Sequence, residues 1–133
     1  MILNEFFENH ILPIMGERQD SADSYEDTYV GVINTVLIDC LDIENAIRRK
    51  NGMAELGITT YEAEYDIPYD MELMLNCIVY GVASRLYIDE AGDESNMFIF
   101  LENNYQRGKE RYINALYENI GNAWGVVDYY GNE

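Results

Sequence analysis

Hydrophobic spacing divides the chain into four helical stretches. In residues 2–15, Ile2, Phe6, Phe7, Ile11, Ile14 and Met15 fall near helical spacing, and Pro13, which has no amide to donate, interrupts them. This predicts a short first helix, kinked near its end. The polar, acidic stretch GERQDSADSYED (residues 16–27) follows as a linker or exposed turn. Gly16 is placed to stop the first helix, and Asp23 or Ser24 to cap the next. From 25 to 50, Tyr29, Val30, Ile33, Leu37, Cys40, Leu41 and Ile47 recur at steps of three and four, the stripe of one amphipathic helix. Arg48, Arg49 and Lys50 crowd its end, where the helix dipole favours cations, and Asn51-Gly52 supplies a left-handed cap.

Residues 53–66 (MAELGITTYEAEYD) hold β-favouring residues from Ile58 to Tyr61 but have no partner run, so a loop or short hairpin is expected. Asp66 and Pro68 mark the start of a third helix over 68–90. Its apolar residues Met71, Leu73, Met74, Leu75, Ile78, Val79, Val82, Ala83 and Leu86 wrap most of the circumference. A helix apolar nearly all round is central, and its YGVAS segment (80–84) lets a neighbouring helix, of the same chain or an adjacent subunit, come close. An acidic turn leads to a fourth helix over 95–120, striped by Phe98, Leu101, Tyr105, Tyr112, Leu116 and Ile120 with Gly108 among them. At about 1.5 Å per residue that helix is longer than a small core requires, which implies that part of it serves another chain. The expected fold is all-α: one four-helix domain of long antiparallel helices over 1–121, then a short aromatic tail over 122–133. Its core is expected to include Ile33, Leu37, Leu75, Ile78, Val82, Leu101, Tyr105 and Leu116.

Composition supports a folded single domain, with 48% hydrophobic and 13% aromatic residues in 133. Charge adds a constraint: 25 acids against 8 bases give a formal −17, with 14 acids against 4 bases in residues 1–66 and 11 against 4 in the remainder. A field of that sign repels nucleic-acid phosphates and anionic membranes, so tight nucleic-acid binding and membrane association are not expected. The opening MILNEFFENHILPIM lacks a basic region and carries Glu5 and Glu8, unlike a signal peptide, and no run reaches the length of a spanning helix.

Catalytic chemistry finds little to build on. Cys40 and Cys77 sit inside apolar patterns with no metal or redox spacing, and read as reduced, buried thiols. His10, the single histidine, has no nucleophile at a recognisable spacing. Asp89, Glu90, Asp93 and Glu94 crowd one turn but do not match a calcium-loop pattern. No catalytic residue, metal or cofactor is therefore expected. Two features suit a partner instead. Arg107, Lys109 and Arg111 form a basic cluster on the last helix, and Trp124, Tyr129 and Tyr130 are aromatic anchors in the tail, which either folds back on its own domain or docks on a neighbour.

The segments TVLIDCLDIENAIRRKNG (35–52), IPYDMELMLNCIVYGVASRLYIDEAGDE (67–94) and FLENNYQRGKERY (100–112), which together cover somewhat over half the chain, resemble the small all-helical head-tail connector (adaptor, or head-completion) proteins of tailed bacteriophages with siphophage-like necks. The first helix and the acidic linker have no match in that pattern. The resemblance implies a structural virion component, made in the bacterial host cytoplasm, that forms a homo-oligomeric ring under the portal protein and above stopper or tail proteins. It also implies a lumen through which DNA passes without being gripped. The competing reading is an acidic phage or mobile-element inhibitor that mimics DNA with its carboxylates and binds a host protein. A mimic needs acids in rows on one face, whereas a connector needs a ring. An enzyme is a third candidate without a motif.

Overall fold

The computed structural model describes residues 1–16, 25–91 and 96–123, with side chains described through 87 in the middle segment and through 116 in the last. Among these residues five helices make up an all-α fold with no strand, only an isolated antiparallel bridge between Ile2 and Asp66.

Helix α1 covers residues 3–14: α-helical Leu3–Phe6, a π-helical turn Phe7–Ile11, and Leu12–Ile14. The helix runs through Pro13 instead of stopping there. The wide turn lies immediately before it, and the Leu12 amide donates five residues back to Phe7. Leu3, Phe6, Phe7, Ile11, Leu12 and Met15 are all buried. A helix that no resemblance covers is thus a full member of the core, packed on α2 and α4.

The stretch expected as one helix over 25–50 is two, α2 (Tyr29–Asp39) and α3 (Leu41–Lys50). They meet at Cys40, whose backbone leaves the helical region at φ −99°, ψ 6°. Its amide is shared between the carbonyls of Val36 at 3.0 Å and Leu37 at 3.2 Å. Val36, Leu37, Cys40 and Ile43 remain buried across the break. The apolar stripe keeps its phase while the axis changes. α3 ends as Asn51-Gly52 implies: Gly52 takes φ +72°, its amide donates to Arg49, and the Met53 amide donates back to Arg48 at 2.8 Å, the paired bonds of a Schellman cap.

Helix α4 covers residues 71–91, with a π-helical turn at Met74–Ile78 between Met71–Leu73 and Val79–Ala91. It starts later than expected: Asp70, not Asp66, is the cap, accepting the Leu73 amide at 3.1 Å, and Pro68 lies before it in the loop. Leu73, Met74, Cys77, Ile78, Val79, Val82, Ala83 and Leu86 are buried, and α1, α2 and α5 all pack on α4. Helix α5 (Asn96–Ala123) lies along α4 and also meets α3. The two glycines on this seam explain its closeness. A Cβ on Gly81 would stand 2.6 Å from the Tyr105 ring, and one on Gly108 3.1 Å from the Cys77 Cβ. The small-residue end of α4 is therefore covered by α5 of its own chain. Of the expected core residues, Ile33, Leu37, Ile78, Val82, Leu101 and Tyr105 are fully buried; Leu75 and Leu116 sit half-buried against the core edge.

Candidate functional site

Three features lie on or beneath the surfaces that the helices leave open. The first is a polar knot under the α2–α3 junction. The Tyr105 hydroxyl donates to Asp39 and lies 3.4 Å from the Cys40 sulfur. The Lys109 ammonium reaches Asp39 at 3.0 Å and sits 4.6 Å from the centre of the Tyr105 ring, with the Arg85 guanidinium 5.3 Å from the same centre. Cys77 Sγ stands 3.8 Å from the Tyr105 carbonyl oxygen. Burial, with Cys40 and Asp39 alongside, raises the Tyr105 pKa well above the ordinary phenol range. Burial would raise Asp39 too, but the hydrogen bonds from Tyr105 and Lys109 outweigh it and hold that carboxyl below its usual value. The Cys77 thiol donating to Cys40 lowers the pKa of Cys40 against the effect of burial, and the same contact raises Cys77. The knot is closed, with both thiols and the phenol ring buried. Lys109, expected on a partner surface, is half-buried and tied to Asp39 inside the chain.

The second is a groove between α4 and α5. Gly108 lines its floor, where the lack of a side chain lets α5 seat closely on Cys77 and Asn76. One depression of about 150 Å³ lies between Asn76, Tyr80, Asn104 and Arg107, and an adjoining one of about 300 Å³ reaches Tyr112 and Ala115, with Gly108 and Arg111 shared. Arg107 and Arg111 stand one turn apart on the same face of α5, both exposed. Neither has an ion-pair partner among the described residues.

The third is the loop from Asn51 to Asp70, which α2 and α3 hold from beneath. Asn34 and Asn45 are mostly buried, and each uses its amide as a strand would. The Asn34 amide donates to the Tyr61 carbonyl at 2.9 Å and accepts the Tyr61 amide at 2.7 Å. Asn45 does the same to Leu56 at 2.9 and 2.7 Å. Glu44, 2% exposed, pairs with Arg48 at 2.7 Å and accepts the Asp70 amide at 2.7 Å. Arg48 donates to the carbonyls of Ala54 at 3.1 Å and Pro68 at 2.6 Å, near both ends of the loop. The far side joins α1, whose first amides donate to Tyr65 and Ala63. Among the described residues Gly57 to Thr60 have no hydrogen-bond partner, and Ile58, 77% exposed, sits at the bend of the tip.

None of these clamp residues was anticipated from the sequence. The signal was present: Asn34, Glu44 and Asn45 are polar residues on the inward side of an amphipathic pattern. Trp124, Tyr129 and Tyr130 lie outside the described residues. Among the described residues no three His, Cys, Asp or Glu side chains come together as a metal would need, and no helix is long and apolar enough to cross a membrane. Compared with family models, with curated proteins and with solved structures, the chain has no match in any of the three.

Proposed function

We propose that the chain is a structural assembly subunit, a head-tail connector of the kind its sequence resembles, forming a homo-oligomeric ring between a phage portal and the stopper or tail proteins. The observation that carries this reading is that α5 presents apolar side chains and cations that its own chain leaves exposed among the described residues. Its 28 residues span about 42 Å; among those with described side chains the buried ones, Leu101, Tyr105 and Gly108, lie in its first half, with Tyr112 and Leu116 half-buried against the core beyond them. Between the last two, Ile113, Asn114 and Ala115 are exposed, Arg107 and Arg111 have no partner among the described residues, and Ile99 and Phe100 stand 47% and 54% exposed on the helix's outer side. A long helix with unused cations and apolar side chains in an acidic chain suits contact with other subunits.

In this reading α4 and α5 are the long antiparallel pair of a wall element, and the tail anchors Trp124, Tyr129 and Tyr130 dock on the portal or a neighbouring subunit. The acidic surface lets DNA pass without binding it, and the protein resides in the virion neck. The test is deletion of the gene from an inducible prophage that carries it, followed by electron microscopy of the lysate. DNA-filled heads and separate tails are the expected products, restored to joined particles by the gene in trans. Intact, infectious particles from the deletion strain would overturn the reading.

A further inference from the structure

The loop tip and the α4–α5 groove have opposite character and share no residue. The tip presents Ile58, and behind it Glu62 and Glu64 are exposed with no ion-pair partner among the described residues. Its backbone is nevertheless held in place by Asn34, Asn45 and Arg48, three side chains drawn from the underlying helices. Ordering an exposed loop costs conformational entropy, so buried polar clamps beneath an apolar tip are the arrangement of a preformed contact. The groove offers the complement: a recess of about 300 Å³ walled by Glu72, Tyr112 and Ala115 with the Arg111 guanidinium along it, and an adjoining one of about 150 Å³ lined by both Arg107 and Arg111, neither of which has an ion-pair partner among the described residues.

We infer that the loop tip of one copy docks in the α4–α5 groove of a second copy, Ile58 entering the recess over Gly108 while Glu62 and Glu64 meet Arg107 and Arg111. This rests on the assembly reading and names its subunit contact. Charge decides the occupant. In a chain of −17, association between copies requires local pairing of opposite signs, and Arg107 and Arg111 are a pair of exposed cations one turn apart lining a recess. Because donor and acceptor surfaces differ, the contact is head-to-tail: every copy gives a tip and takes one, and the series closes into a ring or continues as a filament.

The experiment is a charge exchange on the full chain, read by sedimentation velocity over a concentration series, alone and with the portal. The variants are Glu62→Lys with Glu64→Lys, Arg107→Glu with Arg111→Glu, all four together, and Ile58→Ser. All five substituted positions are exposed, and circular dichroism checks that each variant is folded. Each double variant and Ile58→Ser should weaken association at least tenfold, and the fourfold variant should return most of what the doubles lose. Doubles that associate like the native chain overturn the contact and leave the assembly reading standing. Doubles that weaken without rescue in the fourfold variant show that the two surfaces do not face each other. A native chain that stays monomeric under every condition overturns both.

Discussion

Tyr105 is the residue on which most of the interior converges. Its ring fills the space that Gly81 leaves, so Gly81→Ala drives a Cβ into it at 2.6 Å. The ring is buried and hydrogen-bonded and cannot swing away, which places this substitution with the overpacking changes that cost about 1–3 kcal/mol. A urea titration should show a lower midpoint with an unchanged slope; an unchanged midpoint would mean that α4 and α5 are not so closely seated. Gly108→Ala, at 3.1 Å, should cost less. Tyr105→Phe leaves Asp39 and Cys40 without the phenol and should destabilise by about 1–2 kcal/mol.

The same residue sets a pH dependence with a definite sign. An unfolded tyrosine ionises near pH ~10. Burial raises Tyr105 and Tyr69 above that, so the stability they contribute is complete below the unfolded value and drains away as pH rises past it. Asp39, held low, acts in the opposite range, contributing at neutral pH and losing that contribution as pH falls through its folded value. Thermal melts from pH 7 to 11 should therefore show falling stability above about pH 10, with a smaller fall for Tyr105→Phe than for the native chain. An equal fall in both would remove Tyr105 from the explanation.

At the scale of the element, the loop from Asn51 to Asp70 makes the clearest prediction. Asn34→Asp keeps an oxygen to accept the Tyr61 amide but loses the donor to the Tyr61 carbonyl; Asn34→Ala loses both. Loop amides near Tyr61 should exchange with solvent faster in Asn34→Asp and faster still in Asn34→Ala, with global stability reduced by about 1–3 kcal/mol in the alanine variant. Exchange unchanged in either variant would mean that the clamp does not order the loop. This element also marks how far the sequence could be read. Helical class and most of the buried stripe were visible because phase is written in apolar spacing, and the Asn51-Gly52 stop because only a left-handed residue closes such a cap. The break at Cys40 was not visible, since Ile33, Leu37, Cys40 and Ile43 stay in phase across it and spacing records phase rather than axis direction. The π turns at Phe7–Ile11 and Met74–Ile78 are missed for a related reason: one extra residue in a turn is lost in the tolerance of a three-or-four spacing. The inward polar positions Asn34 and Asn45 are legible in the pattern, but their loop partners lie 27 and 11 positions away, a distance at which local spacing does not say what they bind. Of the expected basic cluster, the groove gathers Arg107 and Arg111, while Lys109 turns inward, because helical positions two apart point about 200° apart while those four apart share a face.

For the whole molecule, the proposed division of labour separates folding from assembly. Apolar helical spacing ends at Ile120 and Gly121, so a chain ending at Gly121 should keep its helical circular dichroism and melt within a few degrees of the full chain, yet fail to assemble on the portal without Trp124, Tyr129 and Tyr130. Unfolding of that shortened chain would assign the tail to the core. Duplex DNA should bind weakly at physiological salt, because eight cations among 25 acids neutralise few phosphates; sub-micromolar binding in a shift assay would contradict the charge argument. The central proposal, that the chain is a ring-forming neck subunit, is tested most directly by native mass spectrometry of the full chain mixed with a portal protein from the same genome. One dominant mass is expected, corresponding to a complete portal ring carrying a closed set of copies, with no partly filled series at saturation. A free monomer beside an unoccupied portal, or a single copy bound to a host protein, would contradict it.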